Sequence, residues 1–304
     1  MENYTFIVTD DYAEIRADKF LAELMSDKSR SYIQKLIKEG HALINNSCIK
    51  ASTKVDAGDK IILNVPELTI PKILPENIPL NIVYEDDDFM IINKPKDMVV
   101  HPAPGHYSGT VVNAVMYHTK DLSGINGVLR PGIVHRIDKN TTGLIVICKN
   151  DKSHNDIALQ LKNHDTNRRY HCIVVGNIKE DEGTIDKPIG RSINDRKKMS
   201  INPTGKNAIT HFKVLERFGN YTYIECMLET GRTHQIRVHM SSINHAILGD
   251  DVYGTKSQQY KTNGQVLHAK TLGFIHPSTK EPVLFDSELP EYFSKILDDL
   301  RSKH

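Results

Sequence analysis

Apolar and polar positions change period several times along the 304 residues, and each change predicts an element. Tyr4-Thr-Phe-Ile-Val8, within residues 1–11, reads as a short lead-in strand. From Arg16 the period is helical, with Phe20, Leu21 and Leu24 on one face. Ser29-Arg30-Ser31 offers a cap for a second helix, which buries Ile33, Leu36 and Ile37 at i, i+3 and i+4 and stops at Gly40. Arg30, Lys35 and Lys38 lie off that apolar set. Asn45-Asn46 between two short apolar runs reads as a tight hairpin, and Lys60-Ile-Ile-Leu63 as a further strand. Pro66, Pro71, Pro75 and Pro79 then prevent helix and suit a semi-rigid connector. The expected division is a first domain at 1–65, a connector at 66–80 and a second domain at 81–304.

The second domain opens with a strand at Asn81-Ile-Val-Tyr84, an acidic turn and the strand Phe89-Met-Ile-Ile92. Helices are predicted at 111–118 and 152–164. Ile133 and Val134 begin a short strand, and Leu144 to Ile147 is the aliphatic run of a strand buried on both faces. Arg168 to Gly176 reads as another strand. Ala208 to Phe218 and Tyr221 to Leu228 form an antiparallel pair around Gly219-Asn220. From Thr233 the pattern is helical, with Ile236, Met240 and Ile243 on one face. A last helix runs to Leu300 with Pro290 in its first turn.

Composition narrows the classes. Charged residues make 25% and apolar residues 39%, ordinary for a globular protein, and the formal net charge is only +1. A nucleic-acid partner would therefore have to be held by local basic patches. No basic leader with an apolar run opens the chain and no 18 apolar residues stand together, so neither signal peptide nor membrane span is expected. Cys48, Cys148, Cys172 and Cys226 form no Cys-x-x-Cys pair, and the last three sit in apolar strands, as core thiols of a reducing compartment do. A cytoplasmic location is expected.

Between the two apolar runs of the second domain, His135, Arg136, Asp138, Lys139 and two threonines crowd into one loop bounded by Gly132 and Gly143. Loops on rigid scaffolds are where catalytic groups concentrate. Asp138 before Asn-Thr-Thr equally suits an Asx turn. His135-Arg-Ile-Asp-Lys-Asn-Thr-Thr-Gly-Leu144 closely resembles the signature loop of the RluA family of RNA pseudouridine synthases, with Ile137 departing where Leu is commoner. That resemblance implies an α+β catalytic domain on a central mixed, largely antiparallel sheet with flanking helices. It makes Asp138 the essential catalytic group, Tyr170 a functional aromatic and Arg237 of Gln-Ile-Arg the partner of the aspartate. Tyr170 would stack on uracil or serve in proton transfer. Arg136 and His135 are expected RNA contacts, Arg136 as the candidate to fill the stack that a flipped uridine leaves.

The other blocks agree. Arg16-x-Asp18-Lys19-Phe20-Leu21, Ser29-Arg30-Ser31, Gly40 and Val55-x-x-Gly58-Asp59 resemble the small α/β S4 RNA-binding module, which makes Arg30, Lys35 and Lys38 RNA contacts. Asn93-Lys94-Pro95 and the His101-Pro102 loop also match, implying a loop that lines the active cleft with Lys94 facing phosphate. His101 and His106 lack a carboxylate or thiol at a compatible spacing, so no metal is expected. Residues 189–206 read as a long basic loop, with Arg191, Arg196, Lys197 and Lys198 as phosphate contacts. Its Arg-Lys-Lys-Met run resembles the ribosomal branch of the family, implying 23S-type large-subunit rRNA as the target; a monomer is expected. Asn244 and Ala246 depart from the family's Gly-His-Pro, although Asn suits the left-handed geometry that Gly would supply.

Pseudouridine formation breaks the bond between uracil N1 and ribose C1′ and rejoins the ring through C5. It is isomeric, so no cofactor is expected, and no Gly-x-Gly-x-x-Gly or Gly-Lys-Ser/Thr loop occurs. A glycoside or nucleoside hydrolase, which would also centre on Asp138, would want a second motif-linked carboxylate, which is lacking. A non-catalytic S4-type RNA-binding or ribosome-assembly protein is the remaining alternative.

Overall fold

The computed structural model describes residues 2–66, 73–102, 106–125, 127, 130–195, 198–254 and 260–304. The chain divides into two compact units, Met1–Pro71 and Lys72–His304.

The first unit carries strands β1 (Glu2–Ile7), β2 (Ala42–Ile44), β3 (Ser47–Cys48) and β4 (Lys60–Val65), in sheet order β1-β4-β2-β3, with helices α1 (Ala17–Leu24) and α2 (Arg30–Lys38). The Ser29 side chain accepts from the Tyr32 backbone N–H, and Gly40 ends the segment after α2 with φ +80°. Ile33, Leu36 and Ile37 are buried as their spacing predicts. On α1, Phe20 and Leu21 are buried but Leu24 is exposed; Met25, one step beyond the helix, fills the core instead. Asn45 and Asn46 both have positive φ, the geometry of a two-residue hairpin turn.

Asp18 is fully buried and collects three partners. Arg16 Nε (3.0 Å), Arg30 Nη2 (3.0 Å) and Gln34 Nε2 (2.5 Å) all donate to its carboxylate. Burial opposes its charge, yet these donors hold the carboxyl at about 2, below the usual range. The guanidinium of Arg30 is therefore spent partly inside the unit, and Lys35 pairs with Glu39 at 3.8 Å.

In the second unit, Ile73 is buried, Leu74 O accepts from the Asn113 side chain, and the Glu76 carboxylate accepts from Gly109 N. Residues 73–80 have no helix or strand and are tied to the second unit at these points. The strands follow as β5 (Ile82–Glu85), β6 (Phe89–Lys94), β7 (Thr142–Cys148), β8 (Asn167–Val175), β9 (Glu182–Asp186), β10 (Ile189–Arg191), β11 (Met199–Ile201), β12 (Ile209–Arg217), β13 (Tyr221–Leu228), β14 (Leu267–Ile275) and β15 (Pro282–Asp286). The helices are α3 (Val111–His118), α4 (Asp151–Asn163), α5 (Gln235–Ser242) and α6 (Glu291–Ser302). One large sheet runs β5-β6-β7-β14-β8-β13-β12-β9, with β15 on β14; β7 and β14 are parallel and the other pairs antiparallel. This is the mixed, largely antiparallel sheet that the resemblance implies.

Every residue of β7 is buried. Its pairing with β14 covers only Thr142 and Gly143, and at Gly143 the chains touch: a Cβ there would lie 2.3 Å from Ala269 O, at φ +108°. Beyond that point the open edge of β7 is closed by the segment before the loop. Cys148 N donates to Gly132 O, Ile133 bridges Ile147, and Val146 N donates to His135 Nε2 at 3.1 Å. The strand expected at Ile133 and Val134 is thus a single bridge. Residues 189–206, expected as a loop, contain the hairpin β10–β11; Ile189 and Met199 pack with Val238 of α5 and Tyr253. Helix α5 begins at Gln235 rather than Thr233, because His234 is left-handed (φ 58°).

Candidate active site

A cavity of about 530 Å³ opens beside the loop that enters β7. His135, Arg136, Ile137 and Asp138 wall one side, Tyr170 and Arg168 of β8 another, and Arg232, His234 and Arg237 a third. The two glycines fix the ends of the loop and β7 fixes its register, so the carboxylate of Asp138 is presented from the rigid part of the fold.

The Asp138 side chain does not cap its own turn. Thr141 N donates to the Asp138 backbone carbonyl, while Oδ2 accepts from Arg237 Nη1 at 3.0 Å and Oδ1 lies 3.9 Å from His234 Nε2. Arg237 is itself buried and locked by Asp250, to which Nε and Nη2 donate at 2.7 and 2.9 Å. Asp250 also accepts from the backbone N–H groups of Val252 and Tyr253. Burial opposes ionisation of Asp250, but the hydrogen bonds and charge of Arg237 outweigh it and keep the carboxyl below its usual range. Burial likewise opposes the charge on Arg237, and Asp250 and Asp138 together raise it. A buried guanidinium hydrogen-bonded to two carboxylates, with the exposed Asp251 3.7 Å from Nη2, is a rigid placement device, since bidentate geometry fixes its plane.

Tyr170 is 8% exposed, and burial pushes its phenol up, Asp138 adding to that and Arg168 opposing it. Arg168 donates to Glu229 O at 2.9 Å. Arg136 is exposed at the mouth.

Two expected contacts are used otherwise. Lys94 is fully buried, and its Nζ donates to Pro95 O (2.7 Å), Met98 O (2.9 Å) and Lys139 O (3.0 Å). It faces no phosphate; it straps the loop of Asp138 from behind. Burial pushes its amine down to about 7, with the charges of Asp138 and Asp97 opposing. Nor does any described residue of the His101 loop line the cavity. His135 borders the cavity but its Nε2 accepts a β7 backbone N–H, so the ring is neutral, and burial followed by the Arg168 charge takes it down to about 3.

Among the described residues of the second unit, neither Arg191 nor Lys198 lines the cavity. Arg30, Lys35 and Lys38 lie on α2 of the first unit. Arg191 ends β10, Lys198 precedes β11 with Nζ near Val252 O (3.3 Å), and Arg196 and Lys197 fall outside the described residues. The residues that sequence reasoning passed over are Asp250, His234 and Arg168. Asp250 follows a glycine in a turn, and no local signal joins it to an arginine 13 positions earlier.

A sequence profile for RNA pseudouridylate synthase matches residues 88–242, and one for the S4 domain matches residues 15–61. An RNA pseudouridine synthase of Bacillus subtilis is 49% identical over 301 residues, 99% of each chain. Ribosomal large subunit pseudouridine synthase D of Zymomonas mobilis is 43% identical over 296 residues, 93% of each chain. Among solved structures, human RNA pseudouridylate synthase domain containing 1 superposes with a TM-score of 0.57 at 24% identity, covering 75% of this chain and 96% of that one, a likeness of fold. No helix among the described residues is long and apolar enough to cross a membrane.

Proposed function

The chain belongs to the RNA pseudouridylate synthase family and carries an S4 domain, and from that premise we propose that it isomerises uridines of large-subunit ribosomal RNA through Asp138. The observation that carries this reading is the Asp138–Arg237 pair, 3.0 Å apart on the wall of a cavity that Tyr170 also walls. An ionised carboxylate is the one group the reaction needs beside C1′, either to attack that carbon or to handle a proton while the bond to N1 breaks. Arg237 supplies the opposite charge, and Asp250 holds Arg237 where it can do so. Tyr170 offers an aromatic face for the extruded uracil. Arg136 at the mouth fills the gap left in the stack, extrusion itself costing a few kcal/mol.

The ribosomal target rests on relatives named ribosomal large subunit pseudouridine synthase D and on the basic hairpin β10–β11. In this reading Arg191 and Lys198 contact phosphate, as do Arg196 and Lys197, which lie outside the described residues, and Arg30, Lys35 and Lys38 of α2 add further contacts. The free buried thiols of Cys148, Cys172 and Cys226 suit the cytoplasm.

The test is to incubate the purified protein with large-subunit rRNA and with tRNA transcripts and to map pseudouridine chemically. New pseudouridine in the rRNA alone supports the proposal. Product only in tRNA would overturn the target, and no product in either would overturn the chemistry.

A further inference from the structure

We infer that His234 is a positioning residue for Asp138, its ring fixed by Tyr253 and, through Tyr253, by the backbone of the hairpin β10–β11. The inference rests on the proposed role of Asp138. Its first support is a directed chain of hydrogen bonds. Met199 N donates to Tyr253 Oη at 2.9 Å, so the phenol proton is free to go to His234 Nδ1, 2.8 Å away. A ring that accepts at Nδ1 carries its proton on Nε2 when neutral. That N–H stands 3.9 Å from Asp138 Oδ1, a distance at which charge and dipole act through space or through one bridging water. Arg237 holds Oδ2 and His234 addresses Oδ1, so each oxygen of the carboxylate has its own partner.

The second support is backbone. His234 precedes α5 with φ 58° and ψ 21°, left-handed values that favour Gly or Asn, and its side chain makes no cap to the helix. A strained position held by a side chain that serves the cavity rather than the helix is what placement for function looks like.

The third is that Tyr253 braces both groups on the aspartate. Its ring lies edge-on to His234 at 5.6 Å, and the Arg237 guanidinium sits 5.2 Å from its centroid. Because Tyr253 packs with Met199 and Ile201 of β11, RNA seated on the hairpin would bear on the carboxylate through these residues.

The variants separate this role from a structural one. Gln reaches the place of Nε2 and can donate toward Asp138, whereas Asn reaches only the place of Nδ1 but tolerates the left-handed backbone better. Single-turnover rates with enzyme in excess, on an RNA the wild type modifies, do not depend on the active fraction. H234F is expected to slow that rate about 100-fold, the effect of misplacing a reacting group, with RNA affinity unchanged. H234Q should recover most of the loss and H234N little, and Y253F should slow the same rate in the same way. H234N matching or exceeding H234Q would show a backbone role and overturn the inference, as would a change confined to RNA affinity. Asp138→Asn is run beside them: if it stays active the reading of Asp138 falls, and if it is dead while H234F is normal the inference alone falls.

Discussion

Arg237 joins two carboxylates on different segments, gripping Asp250 with Nε and Nη2 at 2.7 and 2.9 Å while Nη1 reaches Asp138 at 3.0 Å. Asp250 thus sets where the positive charge stands, and Asp138 receives it.

Replacing Asp250 with Asn keeps the shape but removes the charge that locks the guanidinium. Breaking one partner of a buried pair costs about 3–5 kcal/mol, and freeing Arg237 misplaces the charge on Asp138. D250N should lower the single-turnover rate about 100-fold while leaving RNA affinity near the wild type. A binding titration beside the rate measurement checks both parts, and a loss of affinity with a normal rate would contradict it.

Lys94 is a strap for the loop, so its removal should act on stability and on rate together. In Lys94→Met three carbonyls, among them that of Lys139, lose their donor. Each lost hydrogen bond nets about 0.5–1.5 kcal/mol at these partly exposed carbonyls, and the melting temperature should fall accordingly. The same variant should slow turnover more than it weakens RNA binding. Weakened binding with an unchanged melting temperature would instead restore the phosphate contact that the Asn-Lys-Pro motif implies.

Gly143 marks the closest approach of β7 and β14. Gly143→Ala places a methyl 2.3 Å from Ala269 O at φ +108°, so the strands must separate. Overpacking of this kind costs about 3 kcal/mol, roughly a 6–12 °C fall in Tm by calorimetry for a unit of this size. An unchanged Tm would refute the tight junction.

Asp18 gives the first unit a sign-defined pH dependence. Its folded value of about 2 lies below the unfolded value near 3.8, so its contribution is present above about pH 4 and is lost as pH falls toward about 2. That contribution is about 2 kcal/mol. The stability difference between wild type and Asp18→Asn should therefore shrink over that window in acid melts, and a difference independent of pH would contradict it.

How far the sequence carried this picture depends on the range of each interaction. The apolar run of β7, the bounds of α3 and the Ser29 cap are local patterns, and they are where the period places them. The grouping of Asp138, Tyr170 and Arg237 on one cavity was legible only because motifs resembling a known family stood in three separate blocks. What stayed hidden is tertiary. Lys94 looks like a phosphate ligand until the carbonyl of Lys139, 45 positions on, is brought to it. His135 looks like an RNA contact until the β7 edge needs an acceptor for Val146 N. Strand β14 passes without a clear period because His268, buried near its start, is satisfied by Thr142 Oγ1 and Ser287 Oγ from elsewhere in the chain.

The central claim is that the Asp138 carboxylate performs chemistry and does not hold the fold or the RNA. The direct measurement is pseudouridine yield from rRNA with Asp138→Ala at saturating enzyme, alongside its RNA affinity. The account predicts no product with affinity near that of the wild type; product formed at a rate comparable to the wild type would contradict it.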